Sequence, residues 1–73
     1  MKVPYSYLEV EYILNDYDQQ VPIKVIAENV NKDFHKGNIV RTVSSIGYVV
    51  RKSEEDDGWL NRLEDKWLED GKD

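Results

Sequence analysis

Apolar residues recur three and four positions apart along most of the chain, which is the period of helices that bury one face. Ser6-Tyr7-Leu8-Glu9 matches a capping box. In that motif the serine hydroxyl accepts from the Glu9 backbone N–H and the Glu9 carboxylate reaches back. The spacing of Tyr7, Val10, Leu14 and Tyr17, with Ile13 beside them, predicts a first helix from about Tyr7 to about Tyr17. Leu8 and Tyr12 widen its apolar side. Pro22 suits the first turn of a second helix, where a missing N–H costs nothing. Ile23, Ile26, Ala27 and Val30 share a face of that helix, and Asn31 is placed to close it in the left-handed conformation.

Lys32 to Gly37 reads as a loop or broken turn. Asn38 is a plausible N-cap for a third helix with Ile39, Val43 and Ile46 as its buried stripe, Val40 at the edge and Gly47 as its stop. Tyr48 to Lys52 is β-branched and aromatic and fits either a short strand or an extension of that helix. Ser53 to Gly58 is a charged connector. Trp59, Leu60, Leu63, Trp67 and Leu68 predict a final helix, with Gly71 at its end. The pattern implies a mostly α, small single domain. Residues 1–52 form a helix-turn-helix-like part, and 53–73 an acidic connector with a C-terminal amphipathic helix.

Composition narrows this picture. A chain of 73 residues has a thin core, which disfavours a large enzyme with a deep cleft. The net charge of −5 disfavours a general nucleic-acid coat protein. That charge is unevenly spread. Lys2 and Lys24 face five acids in residues 1–31, a net of −3. Lys32, Lys36, Arg41, Arg51 and Lys52 face only Asp33 in residues 32–52, a net of +4. Three bases face nine acids in residues 53–73, a net of −6. A basic centre set between acidic ends favours a protein partner near nucleic acid over a simple DNA binder. There is no cysteine, so no disulfide or thiolate metal site forms. No apolar run reaches the roughly 18 residues of a membrane span, and the first residues lack an apolar signal-type stretch. The expectation is a cytoplasmic protein without a membrane partner.

Asn38-Ile39-Val40-Arg41-Thr42-Val43-Ser44-Ser45-Ile46-Gly47-Tyr48 resembles the second helix of many bacterial winged-helix regulators. Ile39, Arg41, Val43, Ile46, Gly47 and Tyr48 take the recurring places. The resemblance covers a third to a half of the chain and implies a helix-turn-helix core with a short wing-like strand. In that arrangement the third helix enters the major groove. Asn38, Arg41, Thr42 and Ser45 would then read bases, and Lys36, Arg51 and Lys52 would meet phosphates. The pattern departs from the family at Asn31, where a glycine is usual, and in a longer link to the third helix. The wing tip would be Glu54-Glu55-Asp56-Asp57, which repels phosphate. The same residues also fit a solvated face opposite the buried stripe.

Read whole, the chain resembles the small regulators of Xanthomonas-infecting bacteriophage that bind host RNA polymerase. The shared features are the length, the tyrosine-rich start Val3 to Glu9, the basic helical middle and the acidic tryptophan-containing tail. The resemblance implies a monomeric transcription regulator in the host cytoplasm. Such a protein blocks host promoter use and promotes terminator read-through by protein contact, with no cofactor. Aromatic residues and arginine are the usual interface anchors, which singles out Trp59, Leu63 and Trp67 on the last helix and Arg41, Arg51 and Lys52 in the centre. In so small a chain the two tryptophans also serve to close the core. Sequence-specific DNA binding by a small repressor or excisionase-like protein is the alternative, and the acidic tail also fits a nucleic-acid mimic.

Enzyme chemistry finds little to work with. His35 is the single histidine, and with no cysteine a His/Cys metal set of the usual kind cannot form. No nucleophile elbow surrounds Ser6, Ser44, Ser45 or Ser53. No P-loop or dinucleotide fingerprint occurs among the four glycines. His35 is expected to be a polar loop residue.

Overall fold

Four α-helices make up most of residues 4–70, the part of the chain that the computed structural model describes. They are α1 (Tyr7–Asp18), α2 (Ile23–Phe34), α3 (Val43–Glu55) and α4 (Trp59–Glu69). The expected mostly α domain is present, and there is no strand among the described residues. The expected stop at Gly71 lies outside them.

α1 begins where its cap predicts, with the Ser6 hydroxyl accepting from the Glu9 N–H at 3.2 Å. The Glu9 carboxylate departs from the capping-box expectation: it turns into the protein, toward Arg41 and His35. Val10 and Ile13 are fully buried, while Tyr17 is exposed at the end of the expected stripe. The helix closes with Gln20 in the left-handed region at φ 64°. There Val21 N–H reaches the Asp16 carbonyl and Gln20 N–H the Tyr17 carbonyl, which satisfies two last-turn acceptors.

α2 follows Pro22, which stands just outside the helix as its N-cap. Ile26, Ala27 and Val30 face the core as their spacing predicts. Asn31 does not end the helix, which runs on to Phe34, and the left-handed residues are Lys36 and Gly37. The Asn31 side chain is committed elsewhere. Its Oδ1 accepts from the N–H groups of Val40 and Arg41 at 3.1 and 2.8 Å, and its Nδ2 donates to the Arg41 carbonyl at 2.9 Å. Its backbone carbonyl also accepts from the N–H groups of His35 and Gly37. One asparagine thus holds both ends of the α2–α3 link, residues 35–42. That link is longer than the three- or four-residue turn of a helix-turn-helix.

The clamp places the start of α3 at Val43, not at Asn38. Thr42 is extended and its hydroxyl accepts from the Ser45 N–H at 3.3 Å. Ile39 is therefore a link residue and 87% exposed, and Val43 is also exposed; only Ile46 of the expected stripe is buried. Gly47 does not stop the helix, and Tyr48 to Lys52 continue it. The reason is energetic. A glycine costs a helix interior about 1 kcal/mol. Ile46, Val49 and Val50 form a continuous buried stripe around it, and burying each contributes about 1.5–3 kcal/mol.

α1 touches all three other helices, whereas α4 packs on α1 and α3 but not on α2. Val10, Ile13, Ile26, Ala27, Val30, Ile46 and Val49 form the core. No residue of α4 is fully buried, but Trp59, Leu60 and Leu63 pack against this core as its lid. No helix among the described residues is long and apolar enough to cross a membrane.

A Cβ at Gly47 would meet nothing within 4 Å. Gly47→Ala should therefore stabilise the fold by about 0.5–1 kcal/mol, measured as a higher urea midpoint with an unchanged slope.

Candidate functional site

The strongest polar cluster lies inside the protein, between the first turn of α1 and the α2–α3 link. Arg41 grips Glu9 with both ends of its fork, Nε to Oε2 at 2.6 Å and Nη2 to Oε1 at 2.9 Å. His35 Nε2 lies 2.9 Å from the same Oε2. The side chains of Glu9 and Arg41 are 3% and 5% exposed. Arg41 Nη2 also donates to the Pro4 carbonyl at 3.1 Å, and its Cζ sits 3.9 Å above the Tyr5 ring. Tyr5 in turn stacks on Tyr48, meets Trp59 edge-on and donates to the Ser45 carbonyl at 3.3 Å. Glu9 and Arg41 thus tie the link to α1 and the entering chain, and Tyr5 carries the contacts on to α3 and α4.

Charge complementarity keeps the Glu9–Arg41 pair ionised. Burial alone would push the Glu9 carboxyl up, but hydrogen bonds and charge from Arg41 and His35 outweigh it and hold the group below its ordinary 4.5. Burial would likewise lower Arg41, and Glu9 reverses this to hold it above the ordinary guanidinium value. Two phenols are raised by neighbouring carboxylates. Tyr7 is pushed to about 12 chiefly by its hydrogen bond to Glu11. Tyr12 reaches about 12 through burial and its hydrogen bond to Asp33.

This cluster relocates several expected site residues. Arg41 was expected at a partner or DNA surface; its burial directs it inward, because Glu9 offers a bidentate acceptor in a dry site. His35 lies in the link, as expected of a polar loop residue, and its ring joins the same cluster, 12% exposed. The expected DNA-reading set does not gather on one helix face. Lys36, Asn38 and Arg41 belong to the link, Thr42 is the cap, and Ser45 alone lies within α3. Thr42 and Ser45 are further tied to each other at 3.2 Å.

The remaining expected partner residues divide. Arg51 is exposed on α3. Lys52 is half-buried and lies 3.7 Å from Asp56, which also binds Arg62 Nη2 at 2.5 Å. The hydrogen bond from Arg62 is the main reason the Asp56 carboxyl is held down. Trp59 is half-buried among Tyr5 and Tyr48. Leu63 lines the core edge. Trp67 leans on Tyr7 with ring centres 5.3 Å apart. Both tryptophans thus make contacts within the fold.

Ile39 and Val43, which the spacing assigns to the buried stripe, are instead 87% and 53% exposed, and Tyr48 beside them on α3 is 44% exposed. Gly47 and Arg51 lie between and beside Val43 and Tyr48 on one helical arc. The misplaced start of α3 hid this arc, and an unneeded mid-helix glycine was the signal for it. No group of His, Asp or Glu among the described residues is arranged to hold a metal ion. No family model matches the chain, and neither a curated protein nor a solved structure matches it.

Glu9→Gln should cost about 3–5 kcal/mol, because Arg41 stays buried without its counter-charge, as read from urea unfolding at neutral pH. The sign of the pH effect follows from the lowered carboxyl. Its contribution is complete above about pH 4.5 and is lost as pH falls through the lower folded value. The wild type should therefore lose more stability than Glu9→Gln on acidification from neutral pH through that range. Parallel losses in the two proteins would contradict the ion pair.

Proposed function

We propose that the chain is a non-enzymatic transcription regulator of bacteriophage type. It binds the host bacterial RNA polymerase as a monomer in the host cytoplasm, inhibits promoter initiation and promotes terminator read-through. The resemblance of the whole sequence to such regulators supports the identity of the partner. The observation that carries the binding role is the outer face of α3 and its link. There Ile39, Val43 and Tyr48 are exposed around Gly47 and Arg51. Aromatic residues and arginine are frequent anchors at interfaces, and a glycine without a packing role leaves room for close approach of a partner.

The rigid interior supports the same role. The buried tie from Glu9 to Arg41 fixes the link that ends at this face, so little order has to be gained on binding. Reading of DNA bases draws less support, since Arg41 is enclosed and the net charge is −5.

The test is capture of purified Xanthomonas RNA polymerase by the tagged protein, alongside transcription from a promoter and across a terminator. The wild type should bind, reduce initiation and lengthen transcripts. Val43→Glu and Arg51→Glu, both at exposed positions, should weaken capture about tenfold or more with unchanged thermal unfolding. A wild type that leaves polymerase unbound at micromolar concentration overturns the proposal.

A further inference from the structure

An open groove of about 320 Å³ runs between the C-terminal ends of α1 and α3 and the turn into α4. Its floor is apolar. Val50 is buried, and Leu14 and Leu60 are half-buried at the edge of the core. Its rim is acidic, with Asp18, Glu54 and Asp57 all exposed. Asp56, at the same rim, is satisfied by Lys52, Arg62 and the Gly58 N–H. Asp18, Glu54 and Asp57 have no ion-pair partner among the described residues.

For Asp18 and Glu54 the position makes this costly. Asp18 is the last residue of α1 and Glu54 lies in the last turn of α3. Helix C-termini carry partial negative charge and favour cations, not carboxylates. The last turn of α1 holds no base, and that of α3 holds only Lys52, which is drawn to Asp56. Two negative helix ends and three carboxylates without an ion-pair partner among the described residues therefore surround one apolar floor. A bound cation does not answer this arrangement, because the acids do not converge into a metal-binding group. Spaced positive charges on either side of an apolar side chain do answer it.

We propose that this groove seats a basic, leucine-type segment of a protein partner, with an aliphatic side chain on Leu14, Val50 and Leu60 and lysine or arginine side chains at Asp18, Glu54 and Asp57. It rests on the protein-binding part of the function proposed above and adds the chemistry of the segment bound. The groove's size lies at the lower end of the range that seats ligands, so one or two apolar side chains fill it. The acidic rim steers such a segment and rejects acidic ones.

The experiment is an NMR titration of the full, methyl-labelled chain with three synthetic helical peptides. One combines lysine with leucine, the second glutamate with leucine, and the third lysine with serine. Saturable shifts at the Leu14, Val50 and Leu60 methyls are expected with the first peptide alone. Asp18→Asn/Glu54→Gln/Asp57→Asn should weaken that binding about tenfold, while Glu28→Gln on α2 should leave it unchanged. Equal binding of the glutamate or serine peptide, shifts centred elsewhere, or undiminished binding by the triple variant would overturn the proposal. Polymerase capture is read separately. Loss of peptide binding with polymerase still captured defeats the groove alone, and the converse defeats the polymerase assignment alone.

Discussion

The structure depends on the burial of one ion pair, Glu9 with Arg41, between residues 32 positions apart. Removing two charges from water is expensive, and only bidentate geometry with further hydrogen bonds offsets it. Here His35 shares the carboxylate, and the Pro4 carbonyl and Tyr5 ring occupy the guanidinium. A small core of seven buried apolar residues has little stability to spare. The pair is therefore a constraint as well as a contact: any arrangement that leaves either partner alone is strongly disfavoured. That constraint fixes where the chain enters α1 and where the link returns to the core.

The consequence reaches the surface. Because Arg41 must point inward, Asn31 can clamp the backbone of Val40 and Arg41, and α3 cannot begin before Thr42 caps it. Ile39 and Val43 are pushed outward as a result, and α3 shows solvent a face of mixed apolar and basic character. At the other end of α3, α1 and α3 finish against the turn to α4, which concentrates acids around an apolar floor.

Much of the fold was legible in the sequence, for local reasons. Ser6 as a cap, the Ile26-Ala27-Val30 face and the final amphipathic helix depend on neighbours within a few turns. What was not legible depends on distant partners. An arginine in a basic stretch reads as a surface residue until Glu9 is brought beside it. Asn38 and Thr42 are both good caps, and the choice between them is made by Asn31. Gly47 reads as a stop because the burial that overrides it comes from packing of α3 against α1 and α2. The same shift moved the candidate site. Arg51 remained at the surface, whereas Arg41, Trp59 and Leu63 turned to internal packing.

The most direct test of this account is a double-mutant cycle on Glu9→Gln and Arg41→Met, with unfolding free energies taken from urea titrations at neutral pH. If the buried pair organises the fold, the two losses should fall well short of adding, with a coupling energy of about 2–3 kcal/mol. Additive losses, with coupling under about 0.5 kcal/mol, would show that the two residues act independently and would contradict the central place given to their contact.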